Sequence, residues 1–194
     1  MSNKHVALYS LEWGLSDAIP IFNGGLGTLN GCLLYSFADL GYPVVGVGLM
    51  YHKGFLQQRI VDNRQYSLPV SWKPEEQGFE LQQQKVRVRV YGQEVTLGSW
   101  KKKVTSPVSG KSVDLILLDA NFPGNENPGW VKESSDFLYD DRFKQAHNVM
   151  LGFGGSAMLQ ALGYDVSTHH AQEGHAAALM LRLLLEKGWD EKAV

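Results

Sequence analysis

A single cysteine in 194 residues, Cys32, rules out an intrachain disulfide and fits a reducing compartment. No apolar run reaches the length a bilayer requires, and the N-terminus lacks the charged-then-apolar pattern of a secretory signal. Neither sign of charge is in excess. The formal net charge of −2 offers no general pull toward nucleic acid or an anionic membrane. There is no internal repeat and no low-complexity tract. These absences leave a cytoplasmic globular protein without nucleic-acid or membrane partners as the expectation. The one basic run, Lys101-Lys102-Lys103, reads as a solvated loop or strand edge. Cys32, inside an apolar helical stretch, reads as a small core residue.

What the chain has is glycine, 21 residues of it, and it is unevenly spread. FNGGLGTLNG, residues 22–31, places four in ten positions, although glycine costs backbone entropy in any ordered segment. The surroundings are periodic. His5–Ser10 is a short apolar run, expected as a buried strand. Leu29, Leu33, Phe37 and Leu40 recur at helical spacing over Thr28–Leu40, and Gly41 supplies a stop. Val44–Met50 is a second buried strand, its two glycines implying close backbone approach. Strand, glycine turn, helix, strand is the order of a parallel βαβ unit.

The middle of the chain reads differently. Gln57–Val61 fits a strand, residues 62–84 carry no assignable order, and Val86, Val88 and Val90 alternate with basic residues. Tyr91-Gly92-Gln93-Glu94 then reads as a turn into Val95 and Leu97, an antiparallel hairpin. Beyond it, Asp114–Asp119 is a buried strand and residues 121–129 a loop. Arg142–Leu162 is a helix whose Gly152, Gly154 and Gly155 mark tight packing or a local break. Asp165–Ala171 is a last strand and Gly174–Lys187 a last helix. The expected fold is α/β, a Rossmann-like parallel sheet in one domain over 1–194, with an insertion-like antiparallel region over 55–112.

Two constellations carry chemistry. A glycine turn at a helix N-terminus exposes backbone amides, a ready site for an anion. Gly25-Leu26-Gly27-Thr28-Leu29-Asn30 misses the last glycine of the dinucleotide fingerprint. The second strand ends in Met50-Tyr51-His52 without the acidic residue that binds a ribose. The Gly-Lys-Ser/Thr ending of a triphosphate loop is missing too. A phosphate or sugar-phosphate site and a purely packing turn both remain open. THHAQEGH, Thr168–His175, gathers three histidines and a glutamate where a strand meets a helix. Its spacing does not match the helical H-E-x-x-H pattern, and adjacent His169 and His170 face opposite sides of a strand, so no metal is expected. Glu173 suits a helix N-terminus. His175 reads either as a locally bonded first-turn residue or as a hydrogen-bond partner for a polar ligand at the carboxyl edge of the sheet.

YSLEWGL, then IPIFNGGLGTLNGCLLYSFADLGYPVVGVGLMYHKGFLQQRI, LLDANFPGN and LYDDRFKQAHNVMLGFGGSAMLQALGYDVSTHHAQEGHAAAL resemble, in order, the N-terminal part of the α-glucan phosphorylases. These are the glycogen, starch and maltodextrin phosphorylases. The resemblance spans nearly the whole chain and is weakest over 62–112. It implies part of the N-terminal domain of a two-domain glycosyltransferase of the GT-B type. It implies reversible phosphorolysis of an α-1,4-glucan to glucose 1-phosphate, so the glucan, phosphate and glucose 1-phosphate are the implied partners. Pyridoxal phosphate would be the cofactor, held by a lysine of a C-terminal domain that no segment here matches. This chain would then not bind it covalently and would be inactive alone. A stand-alone sugar- or phosphate-binding module and a synthase-like transferase are the rival readings. The synthases' Lys-x-Gly-Gly-Leu has no counterpart before Gly24. Association with a complementary half, or homo-oligomerisation, is a further expectation.

By resemblance, Gly24, Gly25 and Leu26 match the loop that lies against the substrate phosphate and glucosyl unit. His175 matches the histidine that hydrogen-bonds the sugar. Glu12 matches a glutamate near the catalytic centre. Gln172, where Asn is usual, and His170 would support them from behind. Trp13 stands where Phe is usual.

Overall fold

The computed structural model describes residues 4–52, 56–70, 72–125 and 141–187. Nine strands are found among them: β1 (His5–Tyr9), β2 (Val44–Leu49), β3 (Leu56–Val61), β4 (Arg64–Pro69), β5 (Glu80–Leu81), β6 (Val86–Val90), β7 (Gln93–Thr105), β8 (Ser112–Asp119) and β9 (Val166–Ala171). The α-helices are α1 (Gly25–Leu40), α2 (Asp141–Val149), α3 (Gly155–Ala161) and α4 (Ala178–Lys187).

The main sheet runs β5-β7-β8-β2-β1-β9, with β6 paired to β7. β8, β2, β1 and β9 are mutually parallel, whereas β7 is antiparallel to β8, β5 and β6. Strands covered on both faces read as continuous apolar runs. Accordingly Leu115, Ile116 and Leu117 of β8 are fully buried, each such side chain stabilising the fold by roughly 1.5–3 kcal/mol. From β1 the chain moves to β2 on one side and returns much later as β9 on the other. β1 and β9 therefore flank the point where strand order reverses, and ligands bind beyond the strand ends at such a point.

The glycines of β2 have a definite use. A Cβ on Gly48 would lie 2.4 Å from the Trp13 indole nitrogen, and one on Gly46 would lie 3.3 Å from Leu34 of α1. The bare strand thus accommodates a fully buried tryptophan. On the opposite face, a Cβ on Gly155 would lie 2.8 Å from Val47 and 2.9 Å from Tyr9. α1 covers one face of the sheet and the α2–α3 segment the other.

Several expectations change. The glycine turn is itself the first turn of α1, which begins at Gly25 rather than Thr28. The buried stripe of α1 is Gly27, Asn30, Gly31, Leu34 and Ala38. Leu29 and Leu40, expected inward, are 49% and 74% exposed. Small residues, not leucines, face the sheet because the helix lies very close to the 13–15 segment. A Cβ on Gly31 would sit 1.9 Å from the Gly14 carbonyl oxygen. Rotation of that face turns Cys32 outward, so it is exposed rather than a core residue. The lysine run lies within β7, not at a loop or edge, with Lys101 paired to Asp114 at 2.7 Å.

Part of the region without assignable order is a separate hairpin. β3 and β4 pair antiparallel across Asp62-Asn63, both at positive φ. The β6–β7 hairpin turns at Tyr91-Gly92, also both at positive φ, as a two-residue hairpin turn demands. β7 continues past it into the main sheet. Gly152 and Gly154 do both things foreseen for them: Met150–Gly154 is a π turn between α2 and α3, and a Cβ on Gly152 would lie 2.4 Å from the Leu179 amide nitrogen. The last helix opens as a 3-10 turn, Gly174–Ala176, before α4. The loop expected over 121–129 lies outside the described residues beyond Asn125.

Candidate functional site

The carboxyl end of β1 is the organising element. Its continuation, Ser10-Leu11-Glu12, is buried, and three consecutive residues tie down three different parts of the chain. Ser10 Oγ accepts from Asn30 Nδ2 at 2.7 Å, anchoring α1. The Leu11 amide donates to Nε2 of His175 at 3.4 Å, reaching the segment after β9. Glu12 Oε2 accepts from the Asn23 amide at 2.9 Å, and the Gly27 amide also bonds this carboxylate. The loop is closed by Gly14, whose amide donates to the Gly27 carbonyl at 2.8 Å. Asn30 is fully buried, and its second hydrogen bond goes to the Glu12 carbonyl at 3.2 Å.

These contacts set the turn. Gly24 is the N-cap of α1, with φ 78° and ψ −153°, a conformation that L side chains avoid. Glu12 takes the amides of Asn23 and Gly27, on either side of the turn. Between them, the amides of Gly24, Gly25 and Leu26 meet no acceptor among the described residues. No side chain caps the helix, and its first turn carries no acidic residue. The Glu12 carboxylate already takes up part of the helix N-terminus through Gly27, and the three amides between its two partners are left as donors of the kind that hold an oxyanion or a sugar oxygen.

Electrostatics sharpen the arrangement. Burial pushes the Glu12 carboxyl above the ordinary carboxylate range, and the Asn23 and Gly27 amides pull it partly back. Burial, with Glu12 adding, also raises the Tyr51 phenol. Burial holds the His175 imidazole below the ordinary histidine value, against the opposing pull of Glu173, so the ring is neutral at neutral pH. With Nε2 accepting from Leu11, the ring proton resides on Nδ1, which remains as a donor. The carboxamide of Asn148, oriented with its nitrogen inward, donates to the His175 carbonyl at 2.8 Å and fixes the turn from α2.

The structure thus brings Glu12, Gly24, Gly25, Leu26 and His175 around the end of one strand. Glu12 acts here through its hold on the turn: both recorded carboxylate bonds go to main-chain amides. Gln172 and His170 are arranged differently. They pair with each other, His170 Nε2 to Gln172 Oε1 at 3.2 Å, and His170 is exposed. The Gln172 amide bonds the Tyr9 carbonyl at 3.0 Å, so only its main chain serves β1. His169 turns the other way, Nδ1 lying 3.1 Å from the Tyr9 hydroxyl.

Two groups escape sequence reasoning. Asn30 stands where the dinucleotide pattern would have glycine, and only its burial reveals it as the link between α1 and β1. Asp119, at the end of β8, is 3% exposed. It accepts from Trp100 Nε1 at 2.8 Å and from the Asn121 amide at 2.8 Å, and lies 3.0 Å from His52 Nε2. Its signal in the sequence is a lone charge ending an apolar run. The donor set at the turn, amides and one neutral imidazole, fits an oxyanion or sugar hydroxyls. It contains no amine to form an imine with an aldehyde cofactor, so it does not fit covalent pyridoxal phosphate.

The family model described as carbohydrate phosphorylase matches residues 11–132. The chain is 34% identical to a glycogen phosphorylase of Aquifex aeolicus, over 97% of this chain and 28% of that protein. It is 33% identical to a maltodextrin phosphorylase of Thermococcus litoralis, over 86% of this chain and 20% of the relative. A glycogen phosphorylase of Mycobacterium tuberculosis is 31% identical, over 93% and 22% respectively. The chain thus spans less than a third of the length of the curated relatives it matches.

Proposed function

Since this chain belongs to the carbohydrate phosphorylase family, we propose that its glycine turn is the phosphate- and glucosyl-binding element of an α-1,4-glucan phosphorylase. The chain would form the N-terminal portion of that enzyme and part of the first domain of a GT-B transferase, with the antiparallel strands as an insertion. The reaction is glucan plus phosphate to glucose 1-phosphate, in the cytoplasm. The observation that carries this reading is the set of unmatched amides at Gly24, Gly25 and Leu26, set beside a neutral His175 where the strand order reverses.

The roles follow from that geometry. Fixed N–H dipoles stabilise negative charge without reorganising, and they do so best where water is excluded. Gly24, Gly25 and Leu26 would hold the phosphate oxygens, and Gly25 keeps the approach clear of a side chain. His175 Nδ1–H would donate to a sugar hydroxyl, fixing the glucosyl ring without adding charge. Glu12 holds the turn in shape. In the whole enzyme pyridoxal phosphate would supply a phosphate that relays a proton, while the residues at this turn would bind and orient the sugar phosphate.

Amide NMR of the 194-residue chain titrated with glucose 1-phosphate tests this reading. Perturbations should centre on Gly24–Leu26 and His175, and maltoheptaose with phosphate should yield no product. Perturbations that bypass the turn would remove the binding assignment. Robust turnover by this chain would remove the division of labour.

A further inference from the structure

The turn that carries His175 is strained. Glu173, just before the 3-10 turn Gly174–Ala176, has φ 65° and ψ 171°. That combination is essentially glycine's own, and it persists on another residue only where the surroundings over-determine it. Strain of this kind gathers where ligands are held, and here it lies beside the imidazole assigned to the sugar.

The restraints can be named. Before Glu173, the Gln172 amide donates to the Tyr9 carbonyl at 3.0 Å. Within the turn, the Ala176 amide donates to the Glu173 carbonyl at 3.2 Å. After it, His175 is held at two points. Its Nε2 accepts from the Leu11 amide at 3.4 Å, and its carbonyl accepts from Asn148 Nδ2 at 2.8 Å. Asn148 is the restraint that α2 supplies. The same carboxamide donates to the Lys144 carbonyl of its own helix at 3.0 Å, which fixes its direction. α2 comes this near because Gly152, in the π turn, has no Cβ; one there would lie 2.4 Å from the Leu179 amide nitrogen.

We infer that Asn148 is a positioning residue for sugar recognition: it holds the strained turn in the shape in which His175 keeps Nε2 on Leu11 and Nδ1–H free to donate. Its bearing on the sugar rests on the proposed role of His175; its bearing on the imidazole does not. Without the Asn148 bond the Glu173 main chain relaxes and the His175 ring leaves Leu11. Nothing then selects the Nδ1–H tautomer. The amides of Gly24, Gly25 and Leu26 are untouched, because Glu12 holds their turn. Loss of Asn148 therefore separates the hold on the sugar from the hold on the phosphate.

The test uses the full chain with Asn148→Ala and with Asn148→Asp, which keeps the side-chain shape but sets an acceptor against two carbonyl oxygens. Imidazole nitrogen NMR shifts at neutral pH read the tautomer without any ligand. Wild type should show His175 protonated at Nδ1 alone, and both variants a mixture, with the Leu11 amide resonance displaced. Glu173→Gly should raise the urea midpoint of wild type and raise it less in Asn148→Asp, where the strain it removes is already released. Glucose 1-phosphate should bind the variants about tenfold more weakly, the effect of one lost hydrogen bond. Inorganic phosphate should bind them as it binds wild type. An unchanged tautomer in both variants, equal gains from Glu173→Gly in the two backgrounds, or equal weakening of glucose 1-phosphate and phosphate would each overturn the assignment. Were wild type to bind neither ligand, the glycine-turn reading would fall, and the imidazole shifts would still decide the role of Asn148.

Discussion

Leu11 and His175 meet across 164 positions of sequence, the amide of one donating to Nε2 of the other at 3.4 Å. The contact joins the segment after β1 to the segment after β9. It makes a single site of two turns that the sequence presents separately, and it sets the tautomer on which the His175 role depends.

That contact has a pH signature. Burial lowers the His175 pKa below 6.5, so between the two values the unfolded chain binds more protons than the folded one. The stability contributed by the neutral ring is then present above 6.5 and lost as pH falls through the depressed value. Glu12 has the opposite sign. Its pKa is raised above 4.5, so its contribution is present below 4.5 and lost as pH rises through the raised value. Urea unfolding at a series of pH values should show wild type losing stability relative to His175→Gln on acidification below 6.5.

Glu12→Ala should destabilise the chain by about 1–3 kcal/mol for each main-chain donor left unpaired, those of Asn23 and Gly27. Glu12→Gln keeps an acceptor oxygen and should recover a large part of the loss. It should also retain glucose 1-phosphate binding, because the amides at Gly24–Leu26 are not its partners. A Gln variant that folds like wild type but binds nothing would assign Glu12 a direct ligand contact.

Gly25 and Gly31 should separate binding from folding. A Cβ on Gly25 meets nothing within 4 Å, whereas one on Gly31 meets the Gly14 carbonyl at 1.9 Å. Gly25→Ala should therefore leave stability unchanged or raise it by up to about 1 kcal/mol, while the new methyl crowds the ligand and weakens its binding. Gly31→Ala forces main chain apart and should cost about 1–3 kcal/mol. Thermal unfolding and calorimetry with glucose 1-phosphate read the two effects.

Asp119 is a structural hub at the end of β8. Asp119→Ala leaves the Trp100 indole N–H, the Asn121 amide and His52 without their acceptor, at about 1–3 kcal/mol for each buried donor. Asp119→Asn keeps one acceptor oxygen and should lose less. Denaturation followed by tryptophan fluorescence would rank the two variants.

Periodicity alone was enough for most of the fold. Runs such as Val44–Met50 and Asp114–Asp119 are apolar on both faces and are buried as parallel strands. The alternation at Val86–Val90 with a glycine turn yields the β6–β7 hairpin. The glycine cluster and His175 were both legible as ligand-type features, because exposed amides at a helix start and a histidine after a strand carry their chemistry locally. Helical spacing misled at Leu29 and Leu40. It reports apolar residues, while the face that packs is chosen by how closely α1 can approach Gly14.

The sequence by itself determined the order of the elements outside residues 62–84, the presence of an amide-rich turn and the family, since each depends on residue type and spacing along the chain. Only the tertiary structure decided that Glu12 occupies Asn23 and Gly27 but leaves Gly24–Leu26 open. The same is true of Asn30 anchoring α1 to the end of β1. Those outcomes depend on which groups compete for the same acceptor in space, and strands far apart in sequence must first pair before that competition exists.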